Sequence, residues 1–171
     1  MENLNLEANK KIQERWDGMI GWYETAAEIS SIQGTTTCAV MTNMVEAGKT
    51  IEVACGPGKH SLMLASNFLK IKGVLVSCDF SGAMVRRLGE NYTKEDNDYC
   101  KVPGNKCLFS DTDFTESADE TNKTLKQTCD INKIISDQGD FRKFVLGLQA
   151  NNELLPFADS TFDAYIANLS L

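Results

Sequence analysis

Thr50-Ile51-Glu52-Val53-Ala54-Cys55-Gly56-Pro57-Gly58 is the stretch that decides the fold. A short run of mostly apolar, β-prone residues ends in a tight glycine-proline-glycine turn. Lys59 to Leu69 follows as a helix, with Leu62, Leu64, Ala65, Phe68 and Leu69 as its apolar residues, and Gly73 breaks it. Val74-Leu75-Val76-Ser77-Cys78 then reads as a second buried strand, closed by Asp79. Ser81 stands where a side chain would cap a third helix running to Tyr92. Strand, helix, strand and helix within about forty residues is the pattern of a parallel sheet in an α/β domain.

Outward from this unit the character changes on both sides. Before it, Ile12, Trp16, Met19, Tyr23 and Ala27 recur at helical spacing and share one face. A second helix is expected over Thr37 to Ala47, stopped by Gly48. After it, Thr93 to Asp140 is polar and poor in aliphatic residues. Connections in α/β units are usually only about 2–6 residues long. The stretch therefore reads as an insertion, largely loop, with a helix around Asn122 to Asp137. Lys143 to Gln149 reads as a third strand, Asn151 to Ser160 as a turn, and Phe162 to Leu169 as a fourth strand. The expected division is N-terminal helices over 1–48, a binding core over 49–92 and 141–171, and the insertion over 93–140.

The 171 residues suit one domain with a real core. A formal net charge of -7 argues against a broad phosphate-binding surface, so nucleic acid is not an expected partner. A local basic patch is not excluded by it. No apolar run reaches the ~20 residues that span a bilayer, and the first residues lack the basic and apolar regions of a secretory signal. A cytoplasmic protein is expected. Cysteines stand at 38, 55, 78, 100, 107 and 129 without a CxxC pair, and His60 is the single histidine. No zinc site is expected, and the thiols read as reduced.

Glycines after a strand let a ligand approach the backbone, and the helix that follows offers free N–H groups. Asp79, 21 residues beyond Gly58, closes the second strand, where a carboxylate can accept both hydroxyls of a ribose. These features suit a dinucleotide or S-adenosylmethionine. A dinucleotide turn calls for a third glycine three residues after Gly58, for close helix–strand packing, and Ser61 stands there.

Three segments together resemble the class I S-adenosylmethionine-dependent methyltransferases, most of all their small-molecule, ubiquinone/menaquinone-methyltransferase-like (type 11) group. Asn151 to Leu169, with Leu155-Pro156-Phe157, Phe162-Asp163 and an apolar strand ending in Asn168-Leu169, is similar to the family's later motif. Glu52 to Gly58 resembles its glycine-rich motif, and Cys78-Asp79-Phe80-Ser81-Gly82-Ala83-Met84 its acidic one. The resemblance covers residues 50 to 170 and implies a Rossmann-like α/β fold with helices on both faces of a parallel sheet. It implies S-adenosylmethionine as cofactor and a small-molecule methyl acceptor.

By residue, the resemblance puts Glu52, Ala54, Gly56 and Gly58 in the cofactor site, the two glycines facing the methionine part. Asp79 would hold the ribose hydroxyls, Phe80 and Met84 would pack beside the adenine, and Asn151 and the Asn152 backbone would meet its amino group. Asn168 would stand at the mouth of the site. Phe157, Phe162 and Ile166 fall to the core, and Leu155 and Pro156 to the turn. Ala54 departs from the family, which often has glycine there, at little cost if its φ is negative. Trp16 reads as a residue burying the first helix on the sheet, while Tyr23 suits either that role or a cover over the site. His60 reads as a helix-start residue near the cofactor carboxylate rather than a general base, and the catalytic group is not identified. In the family's order the fourth strand is central. The expectation is thus a sheet truncated after that strand, with a partner chain or a longer protein supplying its neighbours. The competing reading is a non-catalytic fragment of this fold that serves as a protein-interaction module.

Overall fold

In the computed structural model, which describes residues 2–23, 25–26, 34, 36, 39–40, 48–94, 97–113 and 129–167, the strands are β1 (Lys49–Val53), β2 (Val74–Asp79), β3 (Asn105–Asp113), β4 (Lys143–Gln149) and β5 (Ala164–Ala167). They form one sheet, parallel throughout, in the order β3-β4-β2-β1-β5. The helices are α1 (Glu2–Asp17), α2 (Lys59–Met63), α3 (Gly82–Thr93), α4 (Asp98–Lys101) and α5 (Ile131–Asp137). Beyond Met63, α2 continues over Leu64–Phe68 as a more loosely wound turn of π-helix.

Period-two alternation along the strands builds two apolar layers. Ile51, Val53, Val74, Val76, Phe144, Leu146 and Leu148 face one side, where Ile131, Ile134 and Ile135 of α5 and Leu155, Phe157 and Phe162 of the later loop cover them. Leu75, Val145 and Ile166 face the other, under Leu62 and Leu64 of the α2 segment, Leu88 and Tyr92 of α3, and Tyr99 of α4. The sheet is an α/β, Rossmann-like layer with helices on both faces, and each fully buried aliphatic side chain in it contributes about 1.5–3 kcal/mol.

The polar stretch over 93–140 is not a loop appended to the core. It carries α4 and β3, and β3 pairs with β4 along Asn105–Ser110 before its register shifts. Phe109 of β3 lies in a slot between two glycines. A Cβ on Gly147 of β4 would stand 2.5 Å from its ring, and one on Gly89 of α3 would stand 3.1 Å away. Tyr92 packs on Phe109 and Tyr99 with ring centroids 5.5 and 5.4 Å apart. The sheet therefore has one strand more than the sequence predicts, and Ala164–Ala167, expected as the fourth strand, is the fifth. α5 falls inside the helix expected over Asn122 to Asp137, capped by Asp130, whose carboxylate accepts the Lys133 N–H at 3.1 Å.

The N-terminal stripe also differs from expectation. α1 ends at Asp17, and a turn at Gly18–Met19 separates it from a short helical stretch at 20–23. Trp16 is 37% exposed and Ile12 48% exposed, so neither buries α1 on the sheet. Most of the helix expected over Thr37 to Ala47 lies outside the described residues; Ala39 and Val40 are helical. No helix among the described residues is long and apolar enough to cross a membrane.

Asp163, of the Phe162-Asp163 pair, fastens the amino end of β1. Its carboxylate accepts the Gly48 and Lys49 N–H groups at 3.1 and 2.7 Å, while its own N–H donates to Lys49 O at 2.8 Å. Asp163→Ala leaves two amides at the start of a strand without their acceptor. We expect it to cost about 1–2 kcal/mol, read as a lower urea midpoint at unchanged m.

Candidate functional site

The strand order places a crevice. From β1 the chain moves to β2 on one side, and β5 lies on the other side of β1. The strand order thus reverses between β1 and β5, and ligands of open α/β sheets bind at the carboxyl ends of the strands beside such a switch point. The turn after β1 lies there.

That turn owes its shape to three left-handed residues in five. Ala54 has φ 52°, Gly56 φ 56° and Gly58 φ 82°. Gly58 N–H donates to Cys55 O at 3.2 Å, and the Gly58 carbonyl accepts Leu62 N–H at 2.9 Å to start α2. Only glycine fits at 58, since a Cβ there would stand 1.9 Å from Leu88 Cδ1. Asn91 of α3 steadies the turn by donating from Nδ2 to Pro57 O at 2.8 Å. Ala54 corrects the sequence reading, which allowed it on the condition of negative φ. A left-handed alanine is strained by about 1–2 kcal/mol.

Asp79 joins this turn to the next helix. One carboxylate oxygen accepts Gly56 N–H at 2.8 Å and the other accepts Ser81 N–H at 2.9 Å. Burial pushes its pKa up, the Ser81 and Gly56 amides pull it down, and the charge of Asp17 pushes it up again. Ser81 is the expected cap: its Oγ accepts Met84 N–H at 3.1 Å. Asp17, at the end of α1, accepts from Ser81 Oγ and from Ala83 N–H, and so also sits at the amino end of α3, where a negative charge is favoured.

Glu52 does not face the crevice, contrary to its expected place among the cofactor contacts. It is 2% exposed and accepts the hydroxyls of Ser61 at 2.5 Å and Ser77 at 3.2 Å. Ser61 occupies the position of the third glycine in a dinucleotide motif and uses its hydroxyl to hold this carboxyl beneath the turn. Burial pushes Glu52 up from the ordinary 4.5 to about 7, against the two hydroxyls that lower it.

Met84, expected beside the adenine, is 2% exposed on α3. Phe80, beside it in sequence, is partly exposed. Asn151 follows β4, whose end is tied to β2 by Ala150 N–H donating to Asp79 O at 2.9 Å. Its Oδ1 accepts Glu153 N–H at 2.9 Å and shapes the turn, and Asn152 is exposed on that turn. Asn168 lies outside the described residues. Phe157 and Phe162 are packed edge to face at 5.0 Å, and Ile166 is buried, as expected of core residues.

The sequence reading missed two members of the site. Asp17 gave no signal, because a carboxylate at a helix end is ordinary. Gln149 was visible as the polar end of an apolar strand. It pairs in register with Asp79, donates from Nε2 to Phe80 O at 3.2 Å, and fills the space a side chain at Gly82 would need. Tyr23 lies beside the turn: a Cβ on Gly56 would stand 4.0 Å from its ring. Trp16 and Trp22 pack edge-on against Tyr23 at 5.8 and 5.7 Å rather than on the sheet. His60 lies against Gly34, where it occupies the space of a Cβ.

Comparison of the chain with known protein families, with curated proteins and with solved structures finds no match.

Two outcomes follow from this geometry. Ala54→Gly removes the left-handed strain and adds chain entropy to the unfolded state, for a net gain of about 0.5–1 kcal/mol in chemical denaturation. The folded chain favours protonated Glu52, so that contribution is complete below pH 4.5 and is lost as pH rises through about 7. Its full span is roughly 3 kcal/mol. Glu52→Gln is expected to flatten the fall in stability between these pH values; urea midpoints of the two proteins that fall in parallel would contradict the assignment.

Proposed function

We propose that the chain binds S-adenosylmethionine in the crevice at the carboxyl ends of β1, β2 and β4 and belongs to a methyltransferase acting on a small-molecule acceptor. The observation that carries this reading is the sign of the charge around the glycine turn. Asp79 bonds directly to the turn, and Asp17 stands close enough to raise the Asp79 pKa. Two carboxylates beside the turn suit a ligand with a sulfonium and an ammonium group and oppose a pyrophosphate. The buried Ser61, where a dinucleotide turn needs glycine, supports the same choice.

The donor set fits the cofactor's other parts. Each Asp79 oxygen accepts one backbone N–H and keeps a lone pair that a ribose hydroxyl can use. Gly56 and Gly58 keep the turn free of side chains, and Phe80 and Asn151 stand at the ends of neighbouring strands. When bound, the cofactor supplies an activated methyl group to a nucleophile aligned with it. The chain's own part is to orient and to exclude water, and Tyr23, over Gly56, is placed to do both. The acceptor and any base that deprotonates it are not assigned.

Calorimetric titration with S-adenosylhomocysteine, with NADH as control, tests the reading. We expect binding of the first alone, weakened about tenfold or more by Asp79→Asn, which removes the charge and turns one of the two acceptor oxygens into an NH2 donor; circular dichroism checks that the variant is folded. A folded chain that binds neither ligand would overturn the proposal and favour the interaction-module reading. A chain that binds NADH alone would point to a dinucleotide enzyme.

A further inference from the structure

A second concavity, of about 540 Å³, runs along α2 on the side away from β1. Its lining comes from α2 and the turn after it, from α4 and the turn that follows, and from the amino ends of β3 and β4. Because all strands are parallel, those amino ends lie at the opposite edge of the sheet from Asp79. The volume is in the range of small-molecule sites, about 300–1,000 Å³.

The charge of this groove runs against that of the chain. Under a formal net charge of -7, the lining gathers Lys59, Arg142 and Lys143 against one carboxylate, Asp98. Asp98 already faces Lys101 at 3.4 Å. Lys143 is fixed in place, its Nζ donating to the Ala65 and Ser66 carbonyls at 2.8 and 3.1 Å, and an ammonium has a third hydrogen to give. Burial, then the charge of Arg142, pushes the Lys143 pKa down, as expected for cations gathered without an anion. Neither the Lys59 ammonium nor the Arg142 guanidinium has a hydrogen-bond or ion-pair partner among the described residues. Leu62, Met63 and Val102 give the same groove an apolar wall.

We infer that this groove binds a small phosphomonoester, its dianion held by Arg142 and Lys143 and its apolar body laid on Leu62, Met63 and Val102, with Lys59 further along the groove. A guanidinium fork beside an ammonium group matches the charge and the several oxygens of a phosphate better than a single carboxylate. The inference rests on the groove's lining and is independent of the reaction proposed for the crevice.

Amide chemical shifts of the isotope-labelled full chain, titrated with 1-naphthyl phosphate, test it. The expected result is saturable shifts at Ser66, Asn67 and Lys143, and a dissociation constant raised about tenfold by Arg142→Gln, an exposed position whose backbone bonds are kept. The neutral 1-naphthol should bind at least about tenfold more weakly. The inference is overturned by an absence of saturable shifts at millimolar probe, by equal binding of the naphthol, or by an unchanged constant in R142Q. Equal binding of 1-naphthoate would overturn the assignment of phosphate.

Discussion

The Asp79 carboxylate ties together the turn after β1, the end of β2 and the start of α3. It receives Gly56 N–H from the turn after β1 and Ser81 N–H from the start of α3, and its own residue ends β2. Both amides are in buried surroundings, where a donor without an acceptor costs about 1–3 kcal/mol. The carboxylate in turn is nearly enclosed, and the two amides offset its desolvation. The left-handed turn and the entry to α3 are both fastened to this one side chain.

Around that point the chain gathers three carboxyl groups. Asp17 comes from α1, Asp79 from β2 and Glu52 from β1, and each has a different compensation. Asp17 lies against the amino end of α3, Asp79 against two amides, and Glu52 against two serine hydroxyls with burial raising its pKa. Arg142 and Lys143 lie instead at the amino end of β4, beside the groove along α2.

The strands whose limits were read most closely from the sequence were two buried on both faces. Val74–Asp79 and Lys143–Gln149 form near-continuous apolar runs, as interior parallel strands do, and their limits agree with the sequence reading. β3 was not legible because its apolar residues are few and lie within a long polar stretch. Cys107 and Phe109 pack inward while Lys106, Ser110 and Asp111 keep the segment polar, and the two glycines that admit Phe109 come from α3 and β4. In the site, Asp79 and both turn glycines could be read from their spacing. Backbone handedness at Ala54 and the inward turn of Glu52 could not, because neither residue type announces it. Met84 and Asp17 were decided by packing between elements far apart in the chain.

β1 is held on its open side by β5, and the bond from Lys49 N–H to Asp163 crosses 114 positions of sequence. β2, by contrast, lies one short helix away from β1. The two walls of the crevice therefore become available to the folding chain at different times: the glycine turn and Asp79 can meet early, whereas the wall beyond β1 must wait for a long loop to close. During synthesis at about 5–20 residues per second, the apolar edge of β1 stays without its partner for several seconds after the turn has left the ribosome. The exposed interval belongs to the order of strands itself, and α2 and α3, over one face of the sheet, are the cover made soonest after β1.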